Sequence, residues 1–176
     1  MRLTVAAWLV GLAVLLISPA ADARVAVPPA APPAACRMLP MNVADWYMTG
    51  KASRILRGPQ ICGYRSGADA TYETLSLHAV GPLPAAAARA NYRAAYRAAL
   101  GSADTTRRLS GIGPREAFGF ESTGDGRGTA SVVFLAGRYT GVVAIDAPAL
   151  TGDADIEELS RLVRREIWPR WTRRRP

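Results

Sequence analysis

A single histidine and two cysteines in 176 residues leave few ways to build a metal centre from imidazole or thiolate ligands. Charged residues are also sparse, at 20%, and aromatic residues make up 7%. With that composition the chain is neither a coiled coil nor a disulfide-dense mini-protein, and its 49% hydrophobic content excludes a wholly disordered chain. No Gly-x-Ser-x-Gly elbow, His-Glu-x-x-His helix or Gly-x-x-x-x-Gly-Lys loop occurs. No constellation identifies an enzyme, and no cofactor or metal is expected. Beyond the first twenty residues, no apolar run is long enough to cross a bilayer as a helix.

The amino-terminal segment is informative. Arg2 precedes an uncharged apolar run from Val5 to Ile17, followed by Pro19 and Ala21-Asp22-Ala23. This is the order of a secretory signal peptide, with cleavage expected after Ala23. An uncleaved membrane anchor is the other reading, although thirteen apolar residues fall short of the roughly 20 that span a bilayer. Arg2 and Asp22 would leave together, so the formal charge of +8 is unchanged by cleavage. Residues 24–35 hold four prolines among small residues and read as an extended spacer. An α+β domain is expected over 36–168, with a basic Trp/Arg tail over 169–176. The expected location is secreted or extracytoplasmic, at the cell envelope.

Export permits a disulfide, and Cys36 and Cys62 are the only candidates; two separate buried thiols are the alternative. Closing that loop would stabilise the fold by roughly 3–4 kcal/mol in the chain-entropy model. A short helix is expected from Asn42 to Gly50, with Val43, Trp46 and Tyr47 at helical spacing. A strand begins near Gln60. A second covers 70–80, with Leu75, Leu77 and Ala79 on one face and Thr74, Ser76 and His78 on the other. A long helix runs from Pro84 to Leu100 and ends at Gly101. Its apolar face holds Ala88, Tyr92, Ala95, Tyr96 and Ala99, and Arg89, Arg93 and Arg97 form a displaced basic stripe. A strand follows near Ala117–Phe120, then a flexible turn over 124–128, and a hairpin over Thr129–Leu135 and Tyr139–Ile145. Ile156, Leu159, Val163 and Ile167 mark a last helix, capped by Thr151 or Asp153 and ended by Pro169. Single-faced helices and partly alternating strands predict one antiparallel sheet of about five strands. The helices are expected on one face, as a two-layer sandwich.

Few side chains suggest chemistry. His78 reads as a sheet-surface histidine, since no partner for general base work is placed beside it. Asp153, Asp155, Glu157 and Glu158 suit the positive end of a helix better than a calcium loop. Glu73, Glu116 and Glu121 show no glycosidase pairing. Residues 161–176 contain seven arginines against one acid, with Trp168 and Trp171. Trp168, Arg170, Trp171, Arg173, Arg174 and Arg175 are therefore candidates for contact with anionic lipid or another acidic envelope component. A solvated end with its tryptophans folded back on the domain is the competing reading. The arginine stripe raises the same pair of readings, a partner surface or a solvated helix face. A protein partner remains open, and nucleic acid fits poorly with export.

Cys36-Arg-Met-Leu-Pro40, the short helix, and Ile61-Cys62-Gly-Tyr64 resemble the opening of a family of small uncharacterised exported actinobacterial proteins, many of them lipoproteins. Leu109-Ser-Gly-Ile-Gly113 resembles that family's glycine turn before a strand, Val132–Ile145 its hairpin and 153–167 its closing helix. The resemblance implies a secreted α+β domain and supplies no catalytic residue. This chain lacks a cysteine at the cleavage site, which puts lipid anchoring in doubt. The leading functional expectation is non-catalytic binding of a ligand or partner at the envelope. A small secreted enzyme or enzyme inhibitor, with its site assembled from scattered residues, is the alternative.

Overall fold

The computed structural model describes residues 34–67, 72–148 and 153–172. The expected leader, nearly all of the spacer, and Arg173, Arg174 and Arg175 lie outside the described residues. Along the chain run α1 (Ala35–Met38), α2 (Met41–Tyr47), β1 (Ser53–Arg57), β2 (Ile61–Ser66), β3 (Glu73–Val80), α3 (Ala85–Ser102), β4 (Thr105–Leu109), β5 (Glu116–Gly124), β6 (Arg127–Ala136), β7 (Tyr139–Ala147) and α4 (Asp153–Leu162). A π-helical turn over Val163–Ile167 then leads into α5 (Trp168–Thr172).

The fold is α+β with one antiparallel sheet, but the sheet has seven strands rather than about five, in the order β1-β2-β3-β7-β6-β5-β4. The two strands missing from the sequence expectation, β1 and β4, are its edges. Each carries two arginines in five residues, Arg54 and Arg57 in the first and Arg107 and Arg108 in the second. Edge strands shed apolar residues for charge to resist further pairing, and this erases the pattern by which a strand is recognised. Residue 55 of β1 is bulged out of register with β2, which bends that edge as well.

Helices cover both faces of the sheet, which corrects the one-sided two-layer arrangement expected. Leu75 and Leu77 of β3, Val132 and Phe134 of β6, and Val143 of β7 face α1, α2, α4 and the π-turn, in the main core. On the opposite face, α3 packs Tyr92 and Ala99 against Phe118 and Val133. The Tyr92 and Tyr96 rings meet Phe118 edge-on, at 5.5 and 5.1 Å between centroids. The reason is visible in β6: Val132, Val133 and Phe134 are consecutive and all buried, which requires cover on both sides. Strand β3 alternates because α3 packs mainly on β6 and β7 and leaves most of its far face open. Its Leu75, Leu77 and Ala79 are buried as expected, and His78 is exposed on the bare half of the far face.

Two close approaches hold the main layer together. An added Cβ at Gly119 would fall 2.2 Å from the Ile156 side chain of α4, and one at Gly141 2.3 Å from the Phe134 ring. Glycine at both positions therefore admits a bulkier neighbour that a side chain would displace. The Cys36–Cys62 disulfide is formed and ties α1 to β2. Helix α2 starts after Pro40, without a side-chain cap from Asn42, and α3 continues through Gly101 to Ser102.

The segment 124–128, expected as a flexible turn, is a two-residue hairpin connection. Asp125 and Gly126 take φ of 54° and 74°, the geometry that matches the twist of the flanking strands. Arg127 beside it is firmly held. Its Nε donates to Asp146 Oδ1 at 2.8 Å and its guanidinium donates to the Tyr72 carbonyl at 2.9 Å. The same guanidinium lies 4.1 Å from the Tyr72 ring centre, and Arg65 approaches that ring at 4.3 Å.

Pro169 does not end the last helix. In the π-turn the Trp168 N–H reaches back five residues to Val163, and α5 then carries the chain to Thr172. A proline ring collides with the carbonyl four residues earlier in a regular helix. The wider turn precedes Pro169 and leaves it in the first turn of α5, where a missing N–H costs little. Residue 168 thus lies inside a helical path that runs from Asp153 to Thr172.

Candidate anion-binding groove

Three arginines, Arg107, Arg161 and Arg164, meet where edge strand β4 passes α4, and Arg108 borders the same groove. The groove between them encloses about 390 Å³ and is lined by Arg107, Arg108, Ser110, Glu157, Ser160, Arg161 and Arg164. Arg107 and Arg108 are consecutive on a strand, so they leave it on opposite faces. Arg107 pairs in register with Gly119 on the α4 side, the side that also holds the buried Glu121. Arg108 pairs with Phe118, and its guanidinium stands 4.8 Å from the Tyr96 ring centre on the α3 side.

From the other wall, Arg161 and Arg164 lie three residues apart and share one side of the helix. Arg161 pairs with Glu157 at 3.2 Å, an exposed pair worth little in stability. Arg164 is exposed and has no ion pair among the described residues. Ser160 contributes a hydroxyl whose proton is already donated to the Ile156 carbonyl, at 2.7 Å. Three guanidinium groups, from Arg107, Arg161 and Arg164, and one carboxylate make a cationic groove with planar donors, the chemistry that recognises phosphate or carboxylate oxygens. Such a groove can bind and orient an anion. It holds no nucleophile paired with a base.

The π-turn divides this groove from a second one, of about 320 Å³, lined by Asn42, Val43, Trp46, Tyr47, Arg165 and Glu166. Trp46, expected on the apolar face of its helix, is instead 79% exposed. It touches the Tyr47 ring edge-on at 5.7 Å. Partial burial raises the Tyr47 hydroxyl above its ordinary pKa, and the Glu166 carboxylate adds to the shift.

The residues singled out from sequence are dispersed. Trp168 and Trp171 pack against the core, at 6.4 and 5.3 Å from the Phe134 ring centre, and Trp171 also meets Tyr139. Arg170 donates to the Glu166 carbonyl and carboxylate at 2.6 and 2.5 Å. Arg89, Arg93 and Arg97 are exposed on α3, across the sheet from α4, and Arg89 approaches Glu116 at 3.7 Å. The sheet thus separates this stripe from Arg170.

His78 and Glu73 lie on opposite faces of β3, and Glu73 accepts hydrogen bonds from the Thr49 N–H and hydroxyl at 3.0 and 2.7 Å. The most obvious acid–base pair is therefore not assembled. The His78 ring, although exposed, rests close enough to the sheet for desolvation to lower its pKa. Among the described residues, no group of three or more His, Cys, Asp or Glu side chains is placed to hold a metal ion.

Sequence reasoning missed the groove because β4 was not recognised as a strand. The spacing of Arg161 and Arg164 is the part that was readable. Comparison with protein-family models, curated proteins and solved structures gives no match.

Proposed function

We propose that this chain is an extracytoplasmic, non-catalytic binding domain that takes an anionic group of a cell-envelope component in the β4–α4 groove. The convergence of Arg107, Arg161 and Arg164 on one cavity carries the reading. A disulfide and the lack, among the described residues, of a helix long and apolar enough to cross a membrane are compatible with an exported location. The likeness to exported actinobacterial proteins points the same way. The groove is favoured over the carboxy-terminal tail because both tail indoles are engaged with Phe134.

The test is binding of the full chain to inorganic polyphosphate and to vesicles of phosphatidylglycerol or phosphatidylcholine, at low and high salt. The two anionic probes separate a free phosphate polymer from a lipid headgroup. Binding to at least one of them should weaken with salt and fall about tenfold in an Arg161→Ala/Arg164→Ala double variant, the loss of two exposed, salt-screened contacts. Deleting residues 173–176 should change it less. Equal binding by the wild type and the double variant, or loss of binding only on truncation, would overturn the assignment to the groove.

A further inference from the structure

The second groove calls for a different ligand. Trp46 stands on a helix of seven residues with most of its side chain in water, while Tyr47 beside it is half-buried. A lone exposed apolar residue needs no explanation, but Trp46 borders a cavity with a polar rim. Asn42 offers a planar amide, Arg165 a planar guanidinium and Glu166 a carboxylate. Two of the three come from the π-turn, a backbone irregularity frequent at functional sites. The rim carries a guanidinium and a carboxylate, and Glu166 Oε2 already holds Arg170, which fixes that carboxylate in place.

We infer that this groove is a binding site for a neutral saccharide, with a pyranose ring against Trp46 and its hydroxyls on Asn42, Arg165 and Glu166. The face of an indole is the negative side of its quadrupole and attracts the polarised C–H bonds of a sugar ring. Planar side chains bearing two donors or acceptors match the adjacent hydroxyls of such a ring. The cavity, about 320 Å³, is at the small end of ligand sites and admits a short oligosaccharide. An anionic bilayer fits less well. Apart from Trp46, the only large exposed apolar residue on α2 is Met41, too little apolar surface to enter a bilayer. This site is independent of the arginine groove, and either can fail without the other.

The experiment uses the full chain labelled with 5-fluorotryptophan, titrated with maltotriose, cellotriose and triacetylchitotriose and, separately, with phosphatidylglycerol vesicles. The fluorine resonance of Trp46, identified by its loss in Trp46→Phe, should shift saturably with at least one trisaccharide, while those of Trp168 and Trp171 stay in place. Trp46→Ala removes an exposed ring and leaves the core intact; it should weaken saccharide binding about tenfold, the equivalent of one aromatic contact. Arg165→Gln should weaken it severalfold. No shift with any of the three sugars at millimolar concentrations would overturn the proposal. So would a shift produced by the vesicles alone, or saccharide binding unchanged in both variants.

Discussion

Gly113 lies directly under the indole of Trp168: a Cβ added there would fall 2.2 Å from Trp168 Cδ1, on a backbone whose φ is 113°. Two constraints coincide at this residue, a conformation that L side chains rarely adopt and a ring with no room to retreat. Trp168 is itself held against Phe134, so the loop after β4 is locked to the end of the helical layer. Gly113→Ala should destabilise the domain by about 2–4 kcal/mol, combining backbone strain with overpacking. Chemical denaturation should show this, and near-ultraviolet circular dichroism should report the displaced indole. An unchanged denaturation midpoint would mean that the contact is not tight.

The Cys36–Cys62 bridge should be closed in the exported protein. Intact mass after alkylation without reduction should show no added label, whereas two labelled thiols would contradict the bridge. Replacing both cysteines with serine should cost about 3–4 kcal/mol through the freed 26-residue separation. Cys62 is completely buried, so the serine hydroxyl left there adds a desolvation penalty.

Asp104 fastens the start of β4 to β5. Its Oδ2 accepts hydrogen bonds from the Thr123 N–H and hydroxyl at 2.6 and 2.7 Å, and these hold its carboxyl below the ordinary pKa. A lowered folded-state value means that the unfolded chain takes up this proton first as pH falls. The stabilisation is therefore complete above about pH 4 and is lost as pH drops through the folded value. Asp104→Asn should lower the melting temperature at neutral pH, and the gap from wild type should close in acid. A gap that stayed constant with pH would exclude this origin.

Arg127 joins the β5–β6 turn to Asp146 and to the Tyr72 carbonyl, with both ionic partners mostly out of water. Arg127→Ala should cost about 2 kcal/mol, within the range for hydrogen bonds to charged groups. Arg127→Lys should recover only part of it, because an ammonium cannot reproduce the forked contacts. Full recovery by lysine in thermal melts would reduce the role to charge alone.

The legible parts of the fold were those in which one short-range pattern meets one environment. The alanine-rich α3 packs with the face its spacing indicated, and β3 alternates because only one of its faces is covered. Strands β1 and β4 were illegible because arginines occupy edge positions where apolar residues would be expected. The buried run Val132-Val133-Phe134 did carry a signal for two covered faces, outweighed by the alternation seen in β3. Of the candidate sites, the helical spacing of Arg161 and Arg164 was readable, but their partners lie more than fifty positions earlier in the chain.

The scarcity of histidine and cysteine, the helix and strand periods, the cysteine pair and the excess of arginine belong to the sequence alone. They are local or compositional, and no folding partner is needed to read them. Which arginines converge, which tryptophan faces water and which faces of the sheet are covered were decided only in three dimensions. Each depends on where α3 and α4 fall on a sheet of seven strands. Trp46 and Trp168 are the same residue type in similarly short helical segments. Only Trp168 has a glycine beneath it and a phenylalanine beside it to take it out of water.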